Sequence, residues 1–240
     1  MSEQFSKEET QGMVDACPGW FHQIQVGHGI RTPGTHNSWQ KMGRLQMPDN
    51  LTGWSVLDIG ANDGFFSFQA ELRGPERVLA TDHSHWTGEY EYVGKIPGKK
   101  NHFETARELR NSKVEDQTID IYDISPDTVG KFDLVLCLGV MYHLVHFTVG
   151  LENAISVTKK LIIIESAVHK HTRSDDVCQT IFTPRPPGGG GTNWSYPNVE
   201  CLKKMMLLFG CSRVEMVWPK DVKDVERPSC RIVLHGYIEE

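Results

Sequence analysis

Several absences narrow the class of this chain before any motif is read. No apolar run approaches the roughly 18 residues that a membrane-spanning helix needs, so no spanning helix is expected. The stretch Met1 to Thr10 is polar and acidic, with neither the basic start nor the apolar core of a secretory signal. The six cysteines, at 17, 137, 178, 201, 211 and 230, contain no C-x-x-C, which argues against a zinc ribbon. Several lie in apolar segments, which argues against a disulfide framework and for reduced core thiols in the cytoplasm. Positive charge is not in excess: 25 Lys and Arg stand against 31 Asp and Glu, a formal net charge of −6. A protein that holds nucleic acid by general electrostatics is normally basic, so that class is disfavoured, although a local basic groove stays open. What is present is 240 residues with 39% hydrophobic and 23% charged side chains, enough for one packed domain with an added cap.

The order of patterns along the chain sets the fold. Residues 1–50 read as an N-terminal cap. Glu3 to Ala16 is a short helix, and Trp20 to Val26 alternates with period two as a strand. A turn at Gly27-His28-Gly29 leads back through Ile30-Arg31-Thr32, and Thr35 to Leu45 is helical. From 51 to 240 apolar strands alternate with helices. The strands are Ser55 to Ile59, Arg77 to Thr81, Thr118 to Tyr122, Phe132 to Leu138 and Lys160 to Glu165, with closing strands at Val214 to Val217 and Ile232 to Tyr237. The helices are Phe65 to Leu72, His102 to Asn111, Phe147 to Thr158 and one capped by Asn198 that runs to Phe209. Apolar strands interleaved with helices need both sheet faces covered, which predicts an α/β, Rossmann-like, doubly wound and mostly parallel sheet. A Pro/Gly-rich stretch at about 171–197, with four glycines at 188 to 191, is either a linker or a lid over a site.

The chemistry is concentrated at the strand ends. Val56-Leu57-Asp58-Ile59-Gly60-Ala61-Asn62-Asp63-Gly64-Phe65-Phe66 runs from a buried strand through a glycine turn into a helix. Gly60 and Gly64 let backbone approach a ligand there, beyond the carboxyl end of a strand, where open α/β sheets bind their ligands. A pyrophosphate turn would read G-x-G-x-x-G. Here acids at 58 and 63 flank the turn instead, which repels a pyrophosphate and suits a cation. The second strand ends in Asp82-His83, where an acid accepts ribose hydroxyls. The third ends in Tyr122-Asp123-Ile124, where Asp123 can accept an adenine amino group while Ile124 covers the ring. Ribose, adenine, positive charge and no phosphate describe S-adenosylmethionine.

This set resembles the class I S-adenosylmethionine-dependent methyltransferases, whose motifs match in order at Val56 to Gly64, Thr81-Asp82, Tyr122-Asp123-Ile124 and Phe132-Asp133-Leu134-Val135. From about Trp20 onward the chain is similar to the family that includes the bacterial tRNA wobble-uridine carboxymethyltransferase and related small-molecule methyltransferases. Leu138-Gly139-Val140-Met141-Tyr142-His143-Leu144 looks like the family's G-V-L-Y-H segment, and Asn193 to Asn198 and Arg231 also look similar. The tRNA enzyme continues with Arg-Arg-Ser-Pro where this chain has Leu144-Val145-His146-Phe147. The resemblance implies about seven strands and the cofactor S-adenosyl-L-methionine, with S-adenosyl-L-homocysteine as product. Its implied contacts are Trp39, Asp58, Gly60, Asn62, Asp63, Gly64, Asp82, His83, Asp123, Ile124, Leu138, Gly139 and Tyr142. A second cofactor, carboxy-S-adenosylmethionine, follows from Tyr142 and Arg231, whose counterparts in the tRNA enzyme help hold the extra carboxylate.

Methyl transfer requires nucleophile, methyl and sulfur on one line, and an oxygen nucleophile needs a base nearby. His143 is the first candidate base; otherwise it positions Tyr142 or caps the next helix. Tyr142 binds the methionine end of the cofactor, orients substrate or simply packs. Candidate substrate contacts are His22, His146, Glu165, Trp194 and Arg231. Each has a plainer alternative: cap packing for His22, exposure for His146, an ion pair for Glu165 with Arg231. Trp39 and Trp86 lie near adenosine or in the core. His143, His146, His169 and His171 lack an acidic partner at ligand spacing, so no metal is expected. Lys95, Lys99 and Lys100, with Tyr90 and Tyr92 nearby, meet an RNA backbone or are solvated. The leading expectation is methylation of a small-molecule acceptor, more at oxygen than nitrogen, in a secondary-metabolite or sugar pathway. The alternative is tRNA wobble-uridine methylation or carboxymethylation, and a third class is a noncatalytic cofactor-binding subunit.

Overall fold

In the computed structural model, residues 4–90, 94–95, 97–169, 177–183, 192–220 and 229–239 are described. The cap comprises α1 (Lys7–Asp15), the hairpin β1 (Gln25–Gly27) and β2 (Ile30–Arg31), and α2 (Trp39–Leu45). Ser6 and Glu9 close a reciprocal capping box at the start of α1. There follow β3 (Ser55–Ile59), α3 (Phe65–Glu71), β4 (Arg77–Asp82), α4 (Ser84–Thr87), β5 (Glu89–Tyr90), β6 (Gly94–Lys95), α5 (Lys100–Leu109) and β7 (Glu115–Thr118). The second half contains β8 (Phe132–Leu138), α6 (Phe147–Ser156), β9 (Thr158–His169), β10 (Thr180–Phe182), β11 (Ser195–Pro197), α7 (Val199–Leu208), β12 (Arg213–Trp218) and β13 (Ser229–Tyr237). One-turn 3-10 helices lie at Ile121–Asp123 and Met141–His143.

Seven strands form one sheet in the order β12-β13-β9-β8-β3-β4-β7. β7, β4, β3, β8 and β9 are parallel neighbours, and β13 is antiparallel to both β9 and β12. The expected Rossmann-like, mostly parallel α/β sheet is therefore present. The chain enters at the centre with β3, moves outward to β4 and β7, then returns to β8 on the other side of β3. That reversal opens a crevice at the carboxyl ends of β3 and β8, the place where such sheets receive ligands.

Two apolar clusters cover the two faces. One joins the cap, through Val14, Trp20, Ile24 and Leu45, to α3, α5 and the sheet residues Val56, Ala80, Leu136 and Ile163. The other joins α6 and α7 to Leu57, Leu79, Val135 and Ile162. Consecutive strand residues alternate between the clusters, as the pleat requires.

Some expected bounds move, each for a local reason. The third strand is Glu115–Thr118, upstream of the expected Thr118 to Tyr122. Asp120 accepts the amide of Tyr122 at 3.0 Å, and that side-chain turn ends the strand. Of Trp20 to Val26, only Gln25 and Val26 fall in the hairpin strand Gln25–Gly27, and His22 adds an isolated bridge to His36. The amides of Phe21 and His22 donate to the Asp63 carboxylate, and that of Ile24 to the Thr32 hydroxyl, so the backbone is satisfied without a ladder. The alternation still holds as burial: Trp20, His22, Ile24 and Val26 all point inward. The fifth strand extends from Lys160–Glu165 to Thr158–His169, and the loop after Asp82 contains a short helix and hairpin. Residues 171–176 and 184–191 of the expected lid lie outside the described residues, and its described part pairs Thr180–Phe182 with Ser195–Pro197.

Two glycines test the cap's fit. A Cβ at Gly34 would lie 2.2 Å from the carbonyl carbon and oxygen of His22. Because backbone cannot yield as a side-chain tip can, Gly34→Ala is expected to destabilise by about 1–3 kcal/mol. Gly12 in α1 has nothing within 4 Å of such a Cβ. There Gly12→Ala is expected to stabilise by about 0.5–1 kcal/mol through helix propensity. Urea unfolding of both variants checks the opposite signs.

Candidate active site

The pleat decides which polar side chains meet. Val56, Val78, Ala80, Leu161, Ile163 and Val233 belong to the cap-side cluster. Period two then puts Asp58, Asp82, Glu165 and Arg231 on that same face. They stand at or near the strand ends that flank the crevice, so the site lies between the sheet edge and the cap.

In the turn after β3, Gly60 and Ala61 donate their amides to the Thr81 carbonyl at 2.8 and 3.0 Å. Gly60 has φ 75°, and a Cβ there would lie 2.5 Å from Val140 Cγ2, so no larger residue suits this crossing. Asn62, also left-handed at φ 57°, donates its amide to Asp82 Oδ2 at 2.9 Å and accepts the Trp86 indole N–H at 2.6 Å. The amide of His85 donates to the other Asp82 oxygen at 3.1 Å. Asp58 accepts the Ser67 hydroxyl at 2.5 Å. Burial pushes the Asp58 carboxyl up to about 6 against the opposing bond from Ser67. Burial likewise pushes Asp82 up to about 6 against the bonds from Asn62 and His85.

Asp63 and Gly64 serve other ends. Asp63, expected at the cofactor, is fully buried and accepts the amides of Phe21 and His22 and the imidazole of His22. His22, expected at substrate, is the other half of that pair. A Cβ at Gly64 would meet the Phe68 and Phe103 rings at 2.7 Å, so glycine there permits aromatic packing. Trp39 donates its indole N–H to the Gln23 carbonyl at 3.0 Å and packs edge-on to Phe65. The second half of the turn, Asp63 and Gly64, is thus packed against the cap and the aromatic core.

The two residues expected at adenine lie in different surroundings. Ile124 is packed in the core between α6 and the sheet, and Asp123 is exposed beyond it. The acid that follows β7 beside the crevice is Asp120, whose Oδ2 lies 3.5 Å from Nδ1 of His83. The misplaced strand end hid it in the sequence.

Across the crevice, Gly139 donates its amide to the Glu165 carbonyl at 2.8 Å. A Cβ on Gly139 would have the Tyr142 hydroxyl, Glu165 Oε2 and Arg231 Nη1 as its nearest neighbours, which places this glycine in a polar hollow beside Leu138. Arg231 donates to Glu165 at 3.1 Å and lies 4.5 Å over the Tyr142 ring. Lys41, from the cap helix, approaches the other Glu165 oxygen at 3.8 Å. Glu165 is buried, so two cations share one dehydrated carboxylate. Burial lowers the Lys41 ammonium, with Glu165 opposing, and burial with Lys41, His22 and Arg231 nearby pulls His36 down to about 4. Burial raises the Tyr142 phenol. No sequence pattern marked Lys41; only its docking on Glu165 reveals it.

His143 donates from Nδ1 to the Thr192 carbonyl at 2.8 Å, and burial lowers its pKa, with that bond opposing. The imidazole is thus neutral near pH 7 with its lone pair on Nε2. Trp194 donates its amide to the Tyr142 carbonyl at 2.8 Å, which brings the expected lid flank onto the same turn. His146 is exposed, and its amide donates to the Tyr122 hydroxyl at 3.2 Å. Lys99 is bound to the Gly19 carbonyl and Lys100 to Asp116, so both are engaged within the fold. Among the described residues no group of three His, Cys, Asp or Glu side chains is placed to hold a metal, and no helix is long and apolar enough to cross a membrane.

A raised carboxyl costs stability once ionised. The folded Asp58 binds a proton up to about pH 6 while the unfolded one releases it near 3.8, so stability falls as pH rises through that window. At about 1.4 kcal/mol per pH unit the loss reaches at most about 3 kcal/mol. Asp58→Asn keeps an acceptor for Ser67 without the charge. It is expected to be more stable than the parent at pH 7.5 and nearly equal at about pH 3, below both pKa values, by urea unfolding at both values.

No family model matches the chain. It is 27% identical over 142 residues to the tRNA U34 carboxymethyltransferase of Campylobacter concisus (strain 13826), covering 59% of this chain and 44% of that protein. It is 32% identical over 95 residues to the tRNA U34 carboxymethyltransferase of Desulforapulum autotrophicum, covering 39% of this chain and 25% of that protein. The matches thus span less than half the length of these relatives. Among solved structures, the N-terminal domain of EvdMO1, crystallised in the presence of SAH and D-fucose, superposes with a TM-score of 0.74 at 18% identity over 100% of both chains. Magnesium protoporphyrin IX methyltransferase (ChlM) from Synechocystis PCC 6803 with bound SAM superposes at 0.50 and 18% identity, over 79% of this chain and 72% of that one. The chain therefore has the Rossmann-like fold of class I S-adenosylmethionine-dependent methyltransferases.

Proposed function

We propose that this protein is an S-adenosylmethionine-dependent methyltransferase that delivers its methyl group to a hydroxyl of a small molecule. One observation carries the reading: Asp58 and Asp82 stand buried beside a left-handed glycine turn at the strand-order reversal, on the face the cap covers. The fit to the cofactor is supported by Asn62 Oδ1, a buried acceptor without a hydrogen-bond partner in the turn itself. Asp82 would accept the ribose hydroxyls and Asp120 the adenine amino group, while the carboxylate of Asp58 favours a cation nearby. The bound cofactor supplies an electrophilic methyl on a sulfonium. The chain's own part is to align the acceptor and remove its proton. His143 is oriented for the second task, because the Thr192 carbonyl holds its Nδ1–H and leaves Nε2 as the basic atom. Tyr142, Arg231 and Glu165 would orient the acceptor from the hollow beside Gly139. The crystallisation of EvdMO1 in the presence of D-fucose supports a hydroxylated acceptor, and the engagement of Lys99 and Lys100 supports a small molecule over an RNA backbone.

A second reading, transfer to a tRNA wobble uridine from a carboxylated cofactor, is favoured by Lys41 and Arg231 converging on a single carboxylate, Glu165, with Arg231 over the Tyr142 ring. That excess of positive charge suits an anionic group. Mass spectrometry of small molecules released from the purified protein separates the readings, since carboxy-S-adenosylmethionine among them favours the second.

Titration calorimetry is expected to show saturable binding of both S-adenosylmethionine and S-adenosylhomocysteine at pH 7.5; no binding of either ends the proposal. Affinity for the sulfonium is expected to weaken as pH falls through about 6, where Asp58 and Asp82 take up protons. The uncharged thioether is expected to lose less. His143→Gln is expected to lower kcat by roughly 100-fold or more while leaving S-adenosylhomocysteine affinity within about threefold, as loss of a general base does.

A further inference from the structure

The cap and the turn after β3 meet at one buried pair. Asp63 lies in the turn between Asn62 and Gly64 and is fully buried. Its Oδ2 accepts the amides of Phe21 and His22 at 3.1 and 2.8 Å, and its Oδ1 takes the Nδ1 proton of His22. The His22 ring is stacked on Phe65 at 5.7 Å and meets Phe66 and His36 edge-on. Burial raises the Asp63 carboxyl, but the charge and bonds of His22 outweigh it and leave Asp63 below its ordinary range, so the carboxylate is retained. Asp63 and His22 are both buried, while Phe21 is exposed at the rim of the junction.

Both partners of the pair are linked to the site through their own segments. Asp63 shares its turn with Gly60 and Asn62. His22 shares the cap with Lys41, which reaches Glu165 on the opposite side of the crevice. A small displacement of the turn changes every bond that converges on Asp63, and the cap must follow. We infer that His22 and Asp63 are positioning residues that couple occupancy of the cofactor turn to the seating of the cap, and so of Lys41, over the acceptor side. The inference rests on the proposed cofactor reading. Neither residue touches the reacting atoms; they act through the turn and through α2. Coupling of this kind is reciprocal and is typically of the order of 5–150-fold.

Hydrogen exchange read by mass spectrometry, with and without S-adenosylhomocysteine, tests it on the full chain. In the parent protein the ligand is expected to slow exchange across residues 20–45 by about tenfold, within the range usual for coupled sites. His22→Leu is expected to bind the ligand and lose that slowing. His22→Asn is expected to restore it, because its Nδ2–H replaces the Nδ1–H of the imidazole. Val14→Ala, which loosens the cap core without touching the pair, is expected to keep the ligand-dependent slowing on a lower baseline. The inference is overturned if the parent shows no slowing, if His22→Leu keeps it, or if Val14→Ala loses it as His22→Leu does. Calorimetric binding by the parent without slowing rejects the coupling alone, whereas no binding by the parent rejects the cofactor reading and the coupling with it.

Discussion

Four carboxylates, Asp58, Asp63, Asp82 and Glu165, are buried on the cap-facing side of one sheet. Dehydrating a carboxylate costs several kcal/mol unless donors replace the water. That constraint dictates much of the local structure. Asp58 is served by Ser67 on the next helix, Asp82 by two amides of the turns beside it, Asp63 by the cap, and Glu165 by Arg231 and Lys41. Each acid therefore fixes a neighbour: the start of α3, the path of the glycine turn, the seat of residues 21 and 22, and the approach of α2.

These arrangements do not serve the same end. Asp63 is fully compensated and keeps its charge, which makes it a joint. Asp58 and Asp82 are compensated in part, and burial raises both to about 6. A fold that keeps such groups at the mouth of a crevice carries a standing electrostatic cost, and strongly perturbed acids in a cleft are characteristic of functional sites. Glu165 has two cations drawn toward it from different parts of the chain.

The strand–helix alternation was legible because a parallel sheet covered on both faces needs continuous apolar strands, and Ser55 to Ile59 and Phe132 to Leu138 carry them unambiguously. The glycine turn was legible for the same reason: Gly60 and the acids around it are local in sequence. The end of the third strand was not, because Asp120 converts an extended pattern into a turn through its own side chain. Trp20 to Val26 shows the converse, where alternation marked burial correctly but a carboxylate 41 residues from His22 took the place of a strand partner.

By itself the amino-acid sequence determined the doubly wound sheet and the acids at the tips of β3 and β4, since period and local turn chemistry suffice for both. Only the tertiary structure decided that Asp63 holds the cap, that Asp120 stands beside His83, and that Lys41 joins Arg231 at Glu165. The physical reason is that a buried charge is satisfied by whichever donor folding brings within about 3 Å, and sequence separation has no bearing on that distance.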